Sequence, residues 1–238
     1  MLEYHMKDDK DLKKLKELFD AGVHLGHKKN RVHPKAKKNI YKFEKGVSII
    51  DLTKTLEQIK SAKEFLIESR NNNDQILVVA TKRIGSDFAT KISHDAGLPY
   101  ITTKWMSGLL TNFDTIMKNV KKLKELKEER ESGAWNKLVK HERTKLDKQI
   151  HKLEKFYGGL INLEKIPNTI FILDTKTEKN ALSEAMKTST KVVAILDTNS
   201  NPDDVDFPVV ANDDSPTSIE YLLNELLGQA KVTKKQKK

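Results

Sequence analysis

A dense run of basic side chains near the amino terminus is the part of this sequence best suited to chemistry. Eight lysines and arginines lie between positions 28 and 45, against the single acid Glu44. Side chains of one charge at this density repel one another unless an anion neutralises them, and phosphate is the usual anion. The segment therefore predicts a polyanion-binding site. The candidate phosphate contacts are Lys28, Lys29, Arg31, Lys35, Lys37 and Lys38.

Three histidines, His24, His27 and His33, open this run, with Gly22 and Gly26 beside them. A neutral histidine can donate to phosphate and glycine permits close backbone approach, so the spacing favours a loop laid against RNA. The alternatives are a zinc site and a purely structural role as helix caps. Zinc is disfavoured because the chain has no cysteine and no acid stands among the three histidines. We therefore expect no metal here.

Further candidates for RNA contact follow two apolar runs. Lys82 and Arg83 come directly after the run at 75–81, and ligands of open α/β folds gather at the carboxyl ends of parallel strands. A solvated strand exit would explain this pair equally well. Lys104 and Trp105 follow the run at 99–103, where the tryptophan could stack on a base, although such a residue more often belongs to the core. Asn112 completes the set.

The overall composition indicates the same class of partner. The chain has 238 residues, a formal net charge of +10 and a pI near 9.4, which favour nucleic acid or an anionic membrane over a small acidic substrate. Only five of the 44 basic residues are arginine, so recognition of backbone shape is expected more than reading of bases. Cysteine is absent, and the apolar runs are too short to span a bilayer. We expect a cytoplasmic protein without a membrane partner.

The elements that must position these residues alternate between apolar runs and helical patterns. Short β-branched runs at 75–81, 99–103, 169–174 and 191–197 are typical of parallel strands buried on both faces. Amphipathic patterns at 52–70, 177–187 and 215–227 predict helices between and after them. The expected fold class is α/β, a parallel sheet with helices on both faces.

One stretch breaks this alternation. Residues 112–157 carry apolar positions at three- and four-residue steps, interrupted by the turn signal at 132–134. We predict an inserted antiparallel two-helix coiled-coil hairpin, a basic arm on a globular domain formed by 1–111 and 158–230. A solvated helix pair without a partner is the plainer alternative. Residues 231–238, rich in lysine, are expected to be a disordered tail.

Acidic residues near the carboxyl terminus leave an enzymatic alternative open. Asp174 and Asp197 end two predicted strands, and carboxylates at such an edge could hold Mg²⁺ for phosphoryl or nucleotide chemistry. Further acids crowd the loops that follow, namely Asp203, Asp204, Asp206, Asp213 and Asp214. Against this alternative, the chain has no phosphate-binding loop of the form G-x-x-x-x-G-K-[ST] and no nucleophile elbow. We expect instead that these acids end strands, cap helices and form a face that repels RNA.

Several short motifs carry a resemblance to a known family. The sequence resembles the bacterial ribosomal protein S2 family at residues 21–27, 34–35, 49–55, 80–82, 104–105, 110–113, 197–199, 202 and 212–214. The resemblance implies a flavodoxin-like three-layer domain with a protruding helical hairpin. It also implies a structural constituent of the small ribosomal subunit that binds rRNA through a basic loop and the helical arm, bridges head and body, and helps dock ribosomal protein S1. No catalysis, cofactor or small-molecule substrate is expected.

Overall fold

The computed structural model describes residues 9–228, in which a parallel sheet lies between two layers of helices. The helices are α1 (Asp9–Asp20), α2 (Leu52–Asn71), α3 (Arg83–Asp95), α4 (Phe113–Glu131), α5 (Lys140–Tyr157), α6 (Lys179–Thr188) and α7 (Pro216–Leu223). The strands are β1 (Leu25–Lys28), β2 (Ile40–Glu44), β3 (Val47–Ile50), β4 (Ile76–Val79), β5 (Tyr100–Ile101), β6 (Thr169–Leu173), β7 (Lys191–Leu196) and β8 (Phe207–Val210).

The large sheet is parallel throughout and has the strand order β5-β4-β6-β7-β8. Counted along the chain within this sheet, the order is 2-1-3-4-5, which is the flavodoxin-like order. The four apolar runs predicted as strands contain β4 to β7. The apolar pattern does not predict strand β8, because this strand is short and contains Pro208, which an edge strand tolerates. The α/β fold class is confirmed.

Alternate residues of the strands pack against opposite layers of helices. Val78 and Phe171 belong to a buried cluster shared with α1, α2, α3 and α7. Their neighbours Leu77 and Ile170 belong to a second cluster, shared with α6 and the first turns of α4. Burial of both faces explains why these strands are apolar runs rather than alternating patterns. The three-layer arrangement is thus confirmed.

The basic segment is not the loop that its composition suggests. Strands β1, β3 and β2 form a second, antiparallel sheet in that order, and short 3₁₀ helices lie at Lys29–Arg31 and Pro34–Asn39. The β2–β3 hairpin turns at Lys45 and Gly46, with φ values of 47° and 81°. Positive φ at both central positions is what a tight two-residue hairpin needs. The prediction of a loop is wrong because hairpin pairing and packing on the large sheet outweigh the polar composition.

Both predicted helices of the arm are present as α4 and α5, joined through a 3₁₀ helix at Ala134–Lys137. They run antiparallel, since Arg130 pairs with Asp147 and the earlier Asn119 bonds the later Tyr157. Leu123, Leu126 and Ile150 form their buried seam, which Trp135 closes at the turn. Regular coiled-coil packing and the division into domains stay predictions.

The end of the described chain departs slightly from the sequence pattern. The predicted helix at 215–227 is α7 followed by a π-helical turn at Asn224–Gly228. The predicted basic tail lies outside the described residues. Among the described helices, none combines the length and apolar character needed to cross a membrane.

Candidate nucleic-acid interface

Strands β4, β6, β7 and β8 deliver charged side chains to one edge of the large sheet. Lys82 follows β4, Asp174 follows β6, Asp197 follows β7 and Asp213 follows β8. Because the carboxyl ends of parallel strands share one edge, these groups meet although up to 131 residues separate them. We call Lys82, Asp174, Asp197, Asp213 and Asp214, together with His27, the edge cluster.

Lys82 lies at the centre of the edge cluster. Its Nζ is 2.7 Å from Asp213 Oδ1, 2.7 Å from Asp214 Oδ1 and 3.3 Å from Asp174 Oδ2. Burial alone would lower the pKa of Lys82, but hydrogen bonds to Asp213 and Asp214 outweigh it and hold that pKa above its ordinary value. The ammonium is therefore already paired with carboxylates of this chain, and its contact with phosphate stays a prediction.

Asp213 is the most perturbed carboxyl of the edge cluster. The residue is fully buried, and its Oδ2 has no hydrogen-bond partner within the described residues. Burial, followed by the charge of Asp174, raises the pKa of Asp213 to about 7, although Lys82 opposes the shift. The Mg²⁺ alternative would require a metal among these carboxylates, where the Lys82 ammonium already supplies the positive charge.

His27 ties the basic segment to this edge. Its Nδ1 lies 2.9 Å from Asp197 Oδ2, and its Nε2 lies 3.0 Å from Asn199 Nδ2. The hydrogen bond to Asp197 is the main reason that the pKa of His27 lies above its ordinary value. Asp197 and Asn199, the two residues that contact His27, both belong to the motif at 197–199 that resembles the family.

Gly26 serves close packing within the protein. A Cβ at this position would lie 2.6 Å from Ser48 Oγ and 2.9 Å from the Thr198 side chain. The adjacent His27 N–H donates to Thr198 Oγ1 at 3.0 Å. The glycine lets β1 lie against the large sheet, so the close backbone approach predicted toward RNA is made toward Thr198 instead.

Three groups of the edge cluster offer ligand atoms of the kinds that bind divalent metals. His27, Asp197 and Asp214 each place one such atom within 4.8 Å of the others. One imidazole nitrogen and two carboxylate oxygens suit zinc in particular. No acid lies among the three histidines along the chain, but Asp197 and Asp214 lie beside His27 in space. The expectation of no metal stays a prediction.

The other two histidines have different surroundings. His24 stacks on Phe19 with ring centroids 4.3 Å apart, and burial lowers its pKa. His33 caps the 3₁₀ helix that follows it, since its Nδ1 accepts the Lys35 N–H at 3.3 Å. The backbone N–H of His33 also donates to the Thr198 carbonyl at 2.8 Å. The structural alternative of capping therefore describes His33, although it caps the following helix.

The predicted phosphate contacts of the basic segment all reach solvent. We call this set the basic surface, and its members are Lys28, Lys29, Arg31, Lys35, Lys37 and Lys38. Lys35 and Lys38 share Asp203, at 3.2 Å and 2.6 Å. The Lys29 ammonium lies 5.7 Å from the centre of the Phe43 ring. Lys28, Arg31 and Lys37 make no ion pair within residues 9–228, which leaves them ready for an external anion.

The remaining candidates separate into exposed and buried residues. Arg83, Lys104 and Asn112 are exposed. Trp105 is only 6% exposed, and its Nε1 donates to Glu184 Oε1 at 3.0 Å. Glu184 also accepts the backbone N–H groups of Gly108 and Leu110. The core alternative thus describes Trp105. Lys82 instead pairs with Asp214, which lines one pocket together with Lys28 and Arg31 of the basic surface.

The fold is a three-layer α/β domain that carries an exposed basic surface. The family model described as "Ribosomal protein S2" matches residues 18–232. The small ribosomal subunit protein uS2 of Coprothermobacter proteolyticus is 40% identical over 212 residues, which is 89% of this chain and 79% of that protein. The chain belongs to the ribosomal protein S2 family. It is accordingly a structural component of the small ribosomal subunit, in the cytoplasm, and not an enzyme.

Proposed function

We propose that the chain binds small-subunit rRNA by neutralising phosphates with the basic surface. The observation that carries the proposal is that six exposed cations sit on a segment fixed to the rigid sheet. The His27–Asp197 pair and the hydrogen bond from His33 N to the Thr198 carbonyl hold that segment in place. Cations held at fixed positions lose little freedom on binding, so a phosphate backbone of matching shape is favoured.

The placement of the acidic groups also favours RNA binding by the basic surface. Asp174, Asp197 and Asp213 are buried and paired with Lys82 or His27, so they present little negative charge to RNA beside the basic surface. Asp203 is exposed, but it is bound by Lys35 and Lys38. Exposed Arg83, Lys104 and Asn112 extend the proposed contact set.

The salt dependence of rRNA binding tests this proposal. Each phosphate contact contributes about 0.9 to the slope of log K against log salt on duplex nucleic acid. Joint replacement of Lys28, Arg31 and Lys37 by Ala should therefore reduce the slope by about two to three. The matched control replaces Lys176, Lys179 and Lys187, which are exposed, lie around α6 and do not belong to the basic surface. Equal slopes for wild type and the first variant would contradict the proposal.

We further propose that the protein bridges head and body of the subunit and helps dock S1 beside other subunit proteins. Family membership supports this part. A protein neighbour also has a suitable surface in an open apolar groove of about 830 Å³, lined by Phe19, Leu25, Tyr41, Val47 and Ile49. Tyr41 is 72% exposed and Phe19 58% exposed. Exposed apolar patches of this kind mark protein contacts.

Retention of S1 on reconstituted small subunits tests this second part. Tyr41→Ser with Leu25→Ser should lower the amount of S1 that co-sediments, while the salt slope for rRNA stays unchanged. Met186→Ser with Ile166→Ser removes exposed apolar side chains elsewhere and is the control. Normal S1 retention by the groove variant would remove the groove from the proposal.

A further inference from the structure

The arm formed by α4 and α5 joins the rest of the protein at two places, which we call the α4 root and the α5 root. The α4 root is apolar and packs into the buried cluster on one face of the large sheet, through Phe113, Ile116, Met117 and Val120. The α5 root is different, because α5 ends at Tyr157 and is followed by Gly158 and Gly159. Two adjacent glycines would ordinarily suggest a flexible hinge.

The contacts of Gly159 indicate the opposite, because this residue lies directly on the edge strand β5. A Cβ at Gly159 would lie 2.2 Å from the Tyr100 carbonyl oxygen and 2.8 Å from Cδ2 of the Tyr100 ring. The φ angle of Gly159 is not positive, so the position does not require a glycine for its backbone conformation. It requires one because the two backbones approach more closely than a side chain allows. We call this contact the Gly159 seat.

Two hydrogen bonds support the Gly159 seat. Thr103 Oγ1 donates to the Lys155 carbonyl at 3.1 Å, which joins the end of β5 to the last turn of α5. Asn119 Nδ2 donates to the Tyr157 hydroxyl at 3.3 Å, which joins the two helices near their roots. Tyr157 also packs against both the buried cluster on the large sheet and the seam of the arm. The α5 root is therefore tied to β5, to α4 and to the core.

Beside the Gly159 seat, the arm and the large sheet are separated by a polar cleft of about 270 Å³. Thr90 of α3 and Thr102, which follows β5, line one side, and Lys127 and Glu154 of the arm line the other. Lys127 and Glu154 pair with each other at 2.5 Å. Because this cleft is open, packing across it does not set the direction of the arm. The α4 root and the Gly159 seat are left to set it.

We propose that the Gly159 seat fixes the direction of the arm, so that Gly159 is a positioning residue and the two glycines are not a hinge. A single root would let the arm rock, whereas two roots about 8–10 Å apart, the usual spacing of packed helices, resist rocking. Partners of the arm and of the basic surface are then held at a fixed distance and angle. The inference concerns the free protein and does not depend on the proposed rRNA contacts.

The absence of cysteine from the chain allows a direct test with pairs of spin labels. Lys145→Cys places one label near the far end of α5, and Ser183→Cys places the other on α6. A second pair combines Lys145→Cys with Lys91→Cys on α3, which covers the opposite face of the large sheet. All three positions are exposed. Pulsed electron spin resonance on the wild-type background should give one narrow distance for each pair.

Gly159→Ala should change these distances. To relieve the contact at 2.2 Å, the α5 root must shift by about 1 Å. In an arm about 27 Å long with helix axes about 9 Å apart, this shift moves the far end by about 3 Å. The control Gly158→Ala should keep the wild-type distances, since its nearest neighbour would be Glu154 Cγ at 3.4 Å. Wild-type distances in both pairs for a folded Gly159→Ala protein would overturn the proposal.

Thr103→Val tests the same joint with a smaller change, and it decides the matter if Gly159→Ala does not fold. This variant loses the hydrogen bond between β5 and α5. The matched control Thr144→Val loses a bond of the same kind within α5, to the Lys140 carbonyl at 3.0 Å. We expect a wider distance distribution for Thr103→Val only.

Two results would reveal a free hinge at the glycines and overturn the proposal. One is a broad distance distribution in wild type, and the other is an equal distribution for Thr103→Val and Thr144→Val. Thermal unfolding of the same samples separates a change in arm direction from a general loss of stability. Since no RNA is present, failure of this inference leaves the salt-slope test of the proposed function untouched.

Discussion

His27 Nδ1 lies 2.9 Å from Asp197 Oδ2, which joins the basic surface to the carboxyl end of a central strand. The sequence separates the two residues by most of the chain, yet this contact fixes where the cations stand. Because the pair involves a histidine, its strength depends on pH.

Replacement of His27 by Gln should destabilise the protein mainly at low pH. The bond to Asp197 raises the pKa of His27, so the folded state favours the charged ring. This stabilisation is fully present below the unfolded pKa near 6.5 and is lost as pH rises through the higher folded value. We expect a loss of roughly 1–3 kcal/mol at pH 6 and a smaller one at pH 9. Urea unfolding across this range, with exposed His94→Gln as control, measures it; a loss independent of pH would contradict the charged pair.

Lys82→Met and Arg83→Met, made separately, should differ in their effects. The first should lower the stability of the fold, and the second should weaken rRNA binding. Lys82→Met leaves three carboxylates of the edge cluster without their cation, so we expect a loss of about 3 kcal/mol or more in unfolding free energy and an unchanged rRNA salt slope. Arg83→Met, at an exposed position, should change stability by under about 0.5 kcal/mol and reduce the slope by about one. Chemical unfolding and salt titration of both variants test this, and a stable Lys82→Met protein with a reduced slope would reverse the assignment.

Gly26→Ala should disturb the seating of β1 on the large sheet. The new Cβ would meet Ser48 Oγ at 2.6 Å, so the neighbouring side chains must move, at a cost of roughly 1–3 kcal/mol. Gly158→Ala is the control, because its nearest neighbour would be the flexible Glu154 Cγ at 3.4 Å. Thermal unfolding should show a lower transition temperature for the first variant only. Equal transition temperatures would mean that the close approach at Gly26 is unimportant.

Trp105→Leu should lower stability without weakening rRNA binding. The ring is buried and its Nε1 bonds Glu184, so we expect a loss of roughly 3 kcal/mol from packing and the missing hydrogen bond. The salt slope and the affinity of the folded protein for rRNA should equal those of wild type. Weaker binding by a properly folded variant would restore the stacking hypothesis for this residue.

The sequence predicts the large sheet well because its strands are short β-branched runs buried on both faces. Strand β8 is missed because Phe207 is followed by a proline, which interrupts the pattern. The small antiparallel sheet is missed because β1 and β2 are short, contain charged side chains and are at least half exposed, so their apolar residues show no strong period. Local composition cannot reveal pairing that depends on contacts with the large sheet.

The sequence predicts that the candidate site is basic, but it does not predict which of its side chains form ion pairs within the chain. In the sequence, Lys28, Lys37 and Lys82 are all candidates for phosphate contact, since each is a lysine beside another basic residue. Only the fold shows that Lys82 meets Asp213, 131 residues away, whereas Lys37 stays exposed. Trp105 likewise finds Glu184 at a separation of 79 residues. Long-range partners of this kind decide which cations remain available to an external ligand.

Asp203 lies between Lys35 and Lys38, where a nucleic-acid phosphate would lie under the proposed function. A phosphate would have to replace this carboxylate, so the net gain in free energy would be smaller than for a lysine without an ion-pair partner. A densely charged and correctly shaped backbone would overcome this competition, whereas a weakly charged polyanion would not.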